Sequence, residues 1–167
     1  QDGALVPVCA PPSGSAFPIG TTTVECTSTD AGGLSVSGSF TVTVVNNVGT
    51  VVAPDGYAAD RGWLEVDRGQ HDRPTDVDAW CGAAVLLRRA YLDEVGDFDE
   101  SLFLYYEDVE LSRRGAQRGW RYRTCPRSVV RHVHAAASGE GSAVKEHYNE
   151  RNRLLVATRY EPLPHAS

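Results

Sequence analysis

The first fifty residues contain no lysine or arginine and only three acids, Asp2, Glu25 and Asp30. All 16 basic residues therefore lie beyond residue 50, in a chain of 167 residues whose formal net charge is −6. We do not expect an acidic chain of this kind to bind nucleic acid. Because the composition changes so abruptly, the sequence indicates two pieces of different origin.

Long apolar runs are also missing. None reaches the roughly 20 residues that a membrane-spanning helix needs. The N-terminus lacks the basic stretch and apolar core of a secretory signal. We therefore expect a soluble chain without a transmembrane segment.

Cysteine is sparse, and its spacing fits no zinc site. Cys9 and Cys26 flank a short β-rich segment and could form a disulfide if the chain folds in an oxidising compartment. Cys81 lies beside an apolar run and is expected to be a small buried hydrophobe. The pattern does not indicate a catalytic thiol.

Residues 1–45 are typical of β-structure. The runs 21–27 and 35–44 are rich in β-branched residues and alternate in polarity, with turn clusters at 13–15 and 30–33. This pattern predicts three antiparallel strands. Residues 8–44 resemble the C-terminal half of a hyalin-repeat module, which implies an immunoglobulin-like piece of the kind found in extracellular and cell-surface proteins.

The stretch 80–120 carries the strongest candidates for chemistry. Its apolar run 83–87 predicts a buried strand or a short core segment, and 91–95 predicts an amphipathic helical piece that Gly96 ends. Aromatic residues then lead to Glu107 and Asp108 at the start of a predicted helix. A structural explanation is available, because the helix dipole favours acids in the first turn by roughly 0.3–1 kcal/mol. A partly dry aromatic wall could instead raise a carboxyl pKa towards that of a useful base.

Several ordered motifs resemble family-2 glycosyltransferases, especially the rhamnosyltransferase-like branch that builds bacterial polysaccharides. The motifs are Gly82-Ala83, Arg88-Arg89, Gly96-Asp97-Phe98-Asp99-Glu100, Tyr106-Glu107-Asp108-Val109-Glu110-Leu111 and Gly119-Trp120. The resemblance implies an α/β fold, namely the incomplete acceptor half of a GT-A-like nucleotide-diphospho-sugar transferase. It also implies that Asp108 is the catalytic base, with Glu107 as orienter or alternative. Substrate contacts are expected from Trp80, Gly82 and Tyr106.

Two D-x-D patterns, 76–78 and 97–99, could suggest a cation site, because hard cations prefer carboxylate oxygens. We assign neither, since the metal-binding pair of the family belongs to an N-terminal half that this chain lacks. The resemblance still implies a divalent cation, Mg²⁺ or Mn²⁺, as cofactor. A strand predicted over 119–123 and resumed at 128–134 would place His132 and His134 on one face. We expect His132 to contribute to the metal or diphosphate site; the alternative is a structural or solvated histidine.

A last helix is predicted from about residue 143 to 159, with an apolar stripe at Val144, Tyr148 and Leu155. Its Arg151-Asn152 pair resembles one that faces the donor site in the family. Arginine could hold a diphosphate through two hydrogen bonds. The alternative is a helix surface covered with ordinary ion pairs.

These observations divide the chain into a partial hyalin-repeat-like module (1–45), the acceptor half of a glycosyltransferase (46–162) and a tail (163–167). The implied function is inverting transfer of a sugar from a nucleotide-sugar donor to a polysaccharide or glycolipid acceptor, weak or absent without the donor half. The implied location is cytoplasmic, compatible with peripheral membrane association. The alternatives are an extracellular adhesion or binding module and a non-functional fused fragment, because no hinge separates the two pieces at 44–47.

Overall fold

A computed structural model describes residues 5–132, 139 and 141–160 of the chain. The chain divides into two compact units. Unit 1 comprises Gln1–Asn46 and Leu64–Gly69, and unit 2 comprises Asn47–Trp63 and Gln70–Ser167. Within the described part, we find no helix with the length and apolar character needed to cross a membrane.

Unit 1 is built on a three-stranded antiparallel sheet in the order β1-β2-β3, which confirms the predicted strand pattern. The strands are β1 (Val8–Ala10), β2 (Gly20–Thr29) and β3 (Ser35–Val44). One face of β2 and β3 is lined by serine and threonine, and three cross-strand hydroxyl pairs join them: Thr21–Thr43, Thr27–Ser37 and Thr29–Ser35. The other face carries the apolar residues, of which Val24 and Val44 are buried. The alternation of polarity along each strand thus becomes a difference between two faces.

A disulfide joins β1 to β2. Cys9 and Cys26 lie directly opposite each other in the sheet, and their sulfur atoms are bonded. The bridge that the sequence left open is therefore present. Cys81 and Cys125 are free thiols.

The end of β3 is extended by a second segment of unit 1. Val44 forms an antiparallel bridge with Val66, and the Val45 N–H donates to the Glu65 carbonyl at 2.8 Å. The Asp67 N–H donates to the Thr43 carbonyl at 2.8 Å. Residues 64–67 therefore satisfy backbone groups that would otherwise lie at an open sheet edge.

In its described residues, unit 2 mixes short strands with three helices. Its strands β4 (Thr50–Val52) and β5 (Ala58–Asp60) form one antiparallel pair, and β6 (Asp76–Val77) and β7 (Tyr122–Arg123) form another. The helices are α1 (Arg89–Val95), α2 (Glu107–Ala116) and α3 (Ala143–Tyr160), with a 3-10 turn at Glu100–Leu102. The predicted mixed α/β character is confirmed, as are the end of α1 at Gly96, the start of α2 at Glu107 and the extent of α3.

Two apolar clusters hold α2 in place. One cluster lies between α1, α2 and β7 and is formed by Trp80, Tyr91, Val95, Leu111 and Tyr122. The other cluster joins α2 to α3 through Tyr106, Val109 and Val156. Because α2 is packed on both sides, its first turn is fixed relative to its surroundings, and that turn carries the acid pair.

The apolar run 83–87 is not a buried strand or core segment, contrary to prediction. It forms a turn and an irregular stretch, and Leu86 is 97% exposed. Within this run, Leu87 alone packs against the cluster around Tyr91. The apolar run predicted burial, but no described neighbour covers residues 83–86.

Two further predictions need correction. The strand expected at 119–123 is reduced to Tyr122–Arg123, and residues 128–132 have no regular structure, while 133 and 134 lie outside the described residues. In α3 the buried residues are Asn152 and Val156, whereas Val144 is 52% exposed. The predicted stripe is displaced because one of the two buried positions is an asparagine, which an apolar periodicity does not indicate.

Candidate active site

An unusual loop leads into α2. Phe103, Tyr105 and Tyr106 have φ values of 60°, 65° and 66°, which is the left-handed region. Side chains other than glycine adopt this region at a cost of about 1–3 kcal/mol each. The loop therefore needs other contacts to hold it, and Tyr106 supplies some of them. Its hydroxyl accepts from the Ala58 N–H at 3.1 Å and donates to the Gly56 carbonyl at 3.4 Å, which ties the loop to the β4–β5 hairpin.

Asn152 supplies the remaining support for this loop. Its side-chain nitrogen lies 2.8 Å from each of three loop carbonyl oxygens, those of Leu102, Leu104 and Tyr105. Its side-chain oxygen accepts from Arg151 at 2.6 Å, and Arg151 also donates to the Ser101 carbonyl at 3.1 Å. Asn152 is fully buried. In this arrangement Asn152 shapes the loop. Its contact with substrate stays a prediction.

Asp108 lies in the first turn of α2 and is connected to the turn that precedes the exposed apolar run. Its Oδ2 accepts from the Gly82 N–H at 2.8 Å, and its Oδ1 accepts from the Val109 N–H at 2.8 Å. Burial raises the pKa of Asp108, while the two backbone hydrogen bonds lower it. The predicted site residues Gly82 and Asp108 are thus brought into direct contact.

Trp80 is fixed against the same helix. Its backbone N–H donates to Ser112 Oγ at 3.3 Å, and Ser112 Oγ donates in turn to the Asp108 carbonyl at 2.7 Å. The indole ring meets Phe98 edge-on, with the ring centroids 6.2 Å apart. Trp80 is 6% exposed, and its indole nitrogen has no hydrogen-bond partner among the described residues.

Glu107 begins α2, beside Asp108. Its Oε2 is buried and likewise has no hydrogen-bond partner among the residues that the structure describes. Burial raises the pKa of Glu107, and the neighbouring Asp108 charge raises it further. A hydrogen bond from the backbone N–H of Glu107 itself lowers the pKa, and the effect of burial is larger.

Two groups near the acid pair were not among the predicted site residues. Asp60, at the end of β5, contributes a negative charge that raises the pKa of Asp108. Its Oδ1 accepts from Asn47 Nδ2 at 2.5 Å. Cys81 lies between Trp80 and Gly82, and burial raises the pKa of its thiol to about 11, so it stays protonated at neutral pH. No spacing rule in the sequence connects Asp60 with Asp108, because one lies in β5 and the other in α2, and the two elements meet only through tertiary packing, such as that of Ala58 against the cluster of Tyr106 and Val109.

The described residues do not build a cation site. No three His, Cys, Asp or Glu side chains in the described ranges gather closely enough to hold a metal ion. His132 is exposed, and His134 lies outside the described residues. In the D-x-D patterns, Asp78 accepts from the Val52 N–H at 2.9 Å, and Asp99 pairs with Arg159 at 2.6 Å. These carboxylates have structural partners.

Comparison with known proteins now identifies the class. A family model for glycosyltransferase like family 2 matches residues 34–154, well over half of the chain, and a model for the HYR domain matches residues 3–44. The chain therefore belongs to glycosyltransferase like family 2. The first match crosses the predicted boundary at residue 45, so the division into domains stays a prediction.

Two curated relatives show which glycosyltransferases part of this chain resembles. Two N-acetylglucosaminyl-diphospho-decaprenol L-rhamnosyltransferases of Mycobacterium tuberculosis, from strains CDC 1551 / Oshkosh and ATCC 25618 / H37Rv, are each 34% identical to this chain over 83 residues. The match covers 48% of this chain and 27% of each relative. The chain thus spans about a quarter of the length of the curated relatives it matches. No solved structure matches.

Proposed function

We propose that this chain is the acceptor-binding part of an inverting glycosyltransferase, which transfers a sugar from a nucleotide-sugar donor to a carbohydrate or lipid-linked acceptor. The observation that carries the proposal is the placement of the acid pair. Glu107 and Asp108 lie side by side at a helix start, both with pKa values raised by burial, beneath a strained aromatic loop. Family membership supplies the reaction class.

The proposed chemistry uses one carboxylate of the pair as a base. A carboxylate of the pair takes the proton of an acceptor hydroxyl as its oxygen attacks the anomeric carbon of the donor. The new bond forms as the bond to the diphosphate breaks, and the nucleoside diphosphate leaves with the electron pair. Attack from the face opposite the leaving group inverts the configuration. Proton transfer to a positioned base contributes about 10²–10⁴-fold to the rate.

The substrates are proposed from the relatives. Their name specifies transfer of L-rhamnose to an N-acetylglucosaminyl-diphospho-decaprenol. We extend to this chain an acceptor of the same type, a sugar linked through a diphosphate to a lipid, which would place the protein at a membrane surface on the cytoplasmic side. Arg151 is an exposed cation near the loop and is a candidate for contact with a diphosphate.

The donor and the cation need residues other than those described. The expected Mg²⁺ or Mn²⁺ would stabilise the departing diphosphate when bound, with His132 as the ligand that we propose from this chain, but no three His, Cys, Asp or Glu side chains of the described residues gather to hold it. No step above therefore depends on a cation. We expect the chain alone to show weak or no transfer, because it spans about a quarter of its relatives.

The proposal is tested by acceptor binding and by transfer. We expect a soluble N-acetylglucosaminyl diphosphate with a short prenyl chain to bind the full chain, as measured by calorimetry. The double variant Glu107→Gln/Asp108→Asn should abolish any sugar transfer that the chain shows. A matched control is Asp93→Asn, which removes an exposed acid from α1. No binding of this acceptor to the full chain would refute the proposal, as would measurable transfer that is equal in the double variant and the control.

A second candidate function is carried by unit 1. The HYR match and the Cys9–Cys26 disulfide favour a surface or secreted binding module, because such bridges persist in oxidising compartments. This function predicts that the protein isolated from its native cell carries the bridge. Mass measurement under non-reducing conditions tests this, and two free thiols at these positions would exclude the candidate.

A further inference from the structure

One stretch of this acidic chain contains no acidic residue. Residues 111–132 carry seven arginines and no aspartate or glutamate, although the formal net charge of the whole chain is −6. The seven are Arg113, Arg114, Arg118, Arg121, Arg123, Arg127 and Arg131. Positive charge is therefore concentrated in one part of unit 2, and the contacts of each arginine show which of them the fold itself uses.

Four of these arginines have a structural explanation. Arg113 and Arg114 lie in the last turn of α2, where the negative end of the helix dipole favours cations. Arg118 donates to the carbonyl of Arg114 at 3.1 Å. Arg123 lies in β7, and its Nε is 3.5 Å from Asp76 Oδ1 on the paired strand. These four side chains contribute to the fold of unit 2.

The other three arginines, Arg121, Arg127 and Arg131, are exposed. Among the residues that the structure describes, none of their guanidinium groups forms a hydrogen bond or an ion pair. Tyr122 is buried in the apolar cluster with Tyr91, so the extended backbone that buries Tyr122 directs the preceding Arg121 to the opposite side. The fold does not use these three cations, and they are available to a partner.

A turn folds the chain back between the three exposed arginines. The Ser128 N–H donates to the Cys125 carbonyl at 2.9 Å, which closes a turn that contains Arg127. Because such a turn reverses the chain, Arg131 does not lie at the far end of an extended segment from Arg121. We call residues 121–131 the basic segment.

Two valines are exposed between Arg127 and Arg131. Val129 is 85% exposed and Val130 is 55% exposed. Apolar side chains beside arginines match the surface of a bilayer that contains anionic lipid, where phosphate groups lie next to the acyl chains. Nucleic acid would satisfy the arginines but not the valines, and the basic segment has no exposed phenylalanine, tyrosine or tryptophan on which a base could stack. The combination therefore favours a membrane.

We propose that the basic segment is the surface by which this protein docks on an anionic lipid bilayer. Its three unpaired arginines bind headgroup phosphates, for which the guanidinium group is suited, and its two valines enter the interface. The net negative charge of the chain does not oppose this contact, because exposed charges more than about 10 Å away are largely screened at physiological salt. The inference rests on the proposed function, since a lipid-linked acceptor lies in a membrane.

Vesicle sedimentation with the full 167-residue chain tests the inference. The probes are vesicles of phosphatidylcholine alone and vesicles that also contain phosphatidylglycerol. We expect the chain to sediment with the anionic vesicles only and to be released as the salt concentration rises. Equal binding to both kinds of vesicle overturns the inference. Failure to bind the anionic vesicles also overturns it, whether or not the chain binds single-stranded RNA.

Substitutions in the basic segment locate the surface. Arg121→Gln/Arg127→Gln/Arg131→Gln should weaken binding to the anionic vesicles by roughly 10²-fold, because each arginine near the surface contributes about fivefold. Val129→Ser/Val130→Ser should weaken it by about tenfold, because the variant buries less apolar surface at the interface. An affinity that is unchanged in either variant overturns the inference.

A matched control separates the surface from the net charge. Arg68→Gln/Arg88→Gln/Arg89→Gln removes three exposed arginines elsewhere in the chain and changes the net charge by the same amount. We expect this variant to bind the anionic vesicles nearly as tightly as the wild type does. Equal weakening in the two arginine variants assigns the effect to net charge and overturns the inference.

Calorimetry separates this inference from the proposed function. The soluble acceptor with a short prenyl chain should bind the variant of the basic-segment arginines as tightly as it binds the wild type. If the wild type binds this acceptor but no vesicles, the inference fails and the proposed function stands. If it binds vesicles but not the acceptor, the proposed function fails while the membrane surface stands. A variant that loses the acceptor also overturns the inference, because the arginines would then belong to the acceptor site.

Discussion

Arg114 Nη2 lies 2.7 Å from Glu110 Oε2, one turn apart in α2, and Glu110 is 3% exposed. Both residues of the pair also form hydrogen bonds with residues outside α2. Arg114 donates to the carbonyls of Val95 and Asp97 at the end of α1, and the hydroxyl of Tyr160 in α3 donates to Glu110 Oε1. The ion pair therefore connects α1, α2 and α3.

We expect Glu110→Ala to lower the free energy of unfolding of unit 2 by about 3–5 kcal/mol, because Arg114 would keep its charge in a partly buried position without the carboxylate that neutralises it. The measurement is urea unfolding followed by tryptophan fluorescence, since Trp63, Trp80 and Trp120 all lie in unit 2. The control is Asp93→Ala, which breaks the exposed Arg89–Asp93 pair of α1 and should cost less than about 1 kcal/mol. Equal losses of stability in the two variants would contradict the structural role of the Glu110–Arg114 pair.

Gly115 gives a second prediction. A Cβ atom at this position would lie 2.3 Å from Tyr122 Oη and 2.6 Å from Tyr91 Cε2. Alanine favours helices over glycine by about 1 kcal/mol, but overpacking a core costs about 1–3 kcal/mol or more. We expect Gly115→Ala to destabilise unit 2 in urea unfolding. Tyr122→Phe removes one of the crowding atoms, so Gly115→Ala should cost less stability in the Tyr122→Phe background than in the wild type. A Gly115→Ala variant that is more stable than the wild type would contradict this close packing.

The acid pair makes stability depend on pH in a predictable direction. Burial raises the pKa of Glu107 above its unfolded value of 4.5, so the native state binds this proton more tightly than the unfolded chain does. Its contribution to stability is complete below that value and is lost as pH rises through the folded pKa. The Glu107→Gln variant has no carboxyl group to titrate at this position, so its stability does not change with pH in this way. The free energy of unfolding of the variant minus that of the wild type should therefore increase as pH rises from the unfolded value, measured by urea unfolding at several pH values.

Asp99 provides a control of the opposite sign. Hydrogen bonds from Ser101 and Arg159 lower the pKa of Asp99 to about 2, from 3.8. Its stabilising contribution is present above 3.8 and is lost as pH falls through 2. Asp99→Asn should therefore destabilise the protein at neutral pH and have little effect near the lower limit. Parallel pH profiles for the Glu107 and Asp99 variants would contradict both assignments.

Removal of the disulfide should affect unit 1. The bridge closes a separation of 17 residues, and a crosslink of this size contributes about 2–4 kcal/mol by constraining the unfolded chain. We expect Cys9→Ser/Cys26→Ser to lose about that much stability, as measured by thermal unfolding followed by far-ultraviolet circular dichroism. Cys125→Ser, at an exposed free thiol, is the matched control and should leave the transition unchanged.

The elements that sequence predicted well are those whose signal is local. Alternation over 35–44 predicted β3, and acids after an aromatic run predicted the start of α2 at Glu107. Gly96, with φ 89°, ends α1 as expected of a residue that tolerates that conformation. In each case the decisive residues lie within one or two turns of the element.

The predictions that failed depend on residues far away in the chain. Leu86 is apolar but exposed. Burial requires a neighbouring element that packs on the residue, and the local sequence does not show whether such an element is present. Asn152 is polar and buried, because its partners are backbone carbonyls about 50 positions earlier, which have no side-chain signature. The contact of Gly82 with Asp108 spans 26 residues and was foreseen only as a shared site.

The support of the loop by Asn152 sets the order in which the site can form. The three carbonyls that Asn152 binds lie 47 to 50 residues before it. During synthesis the acids leave the ribosome well before their loop has its anchor, and contacts so distant along the chain form late. The acid pair is thus present in the nascent polypeptide before the loop that leads into α2 has folded. A chain that stops short of residue 152 would carry both carboxylates but would lack the side chain that holds this loop.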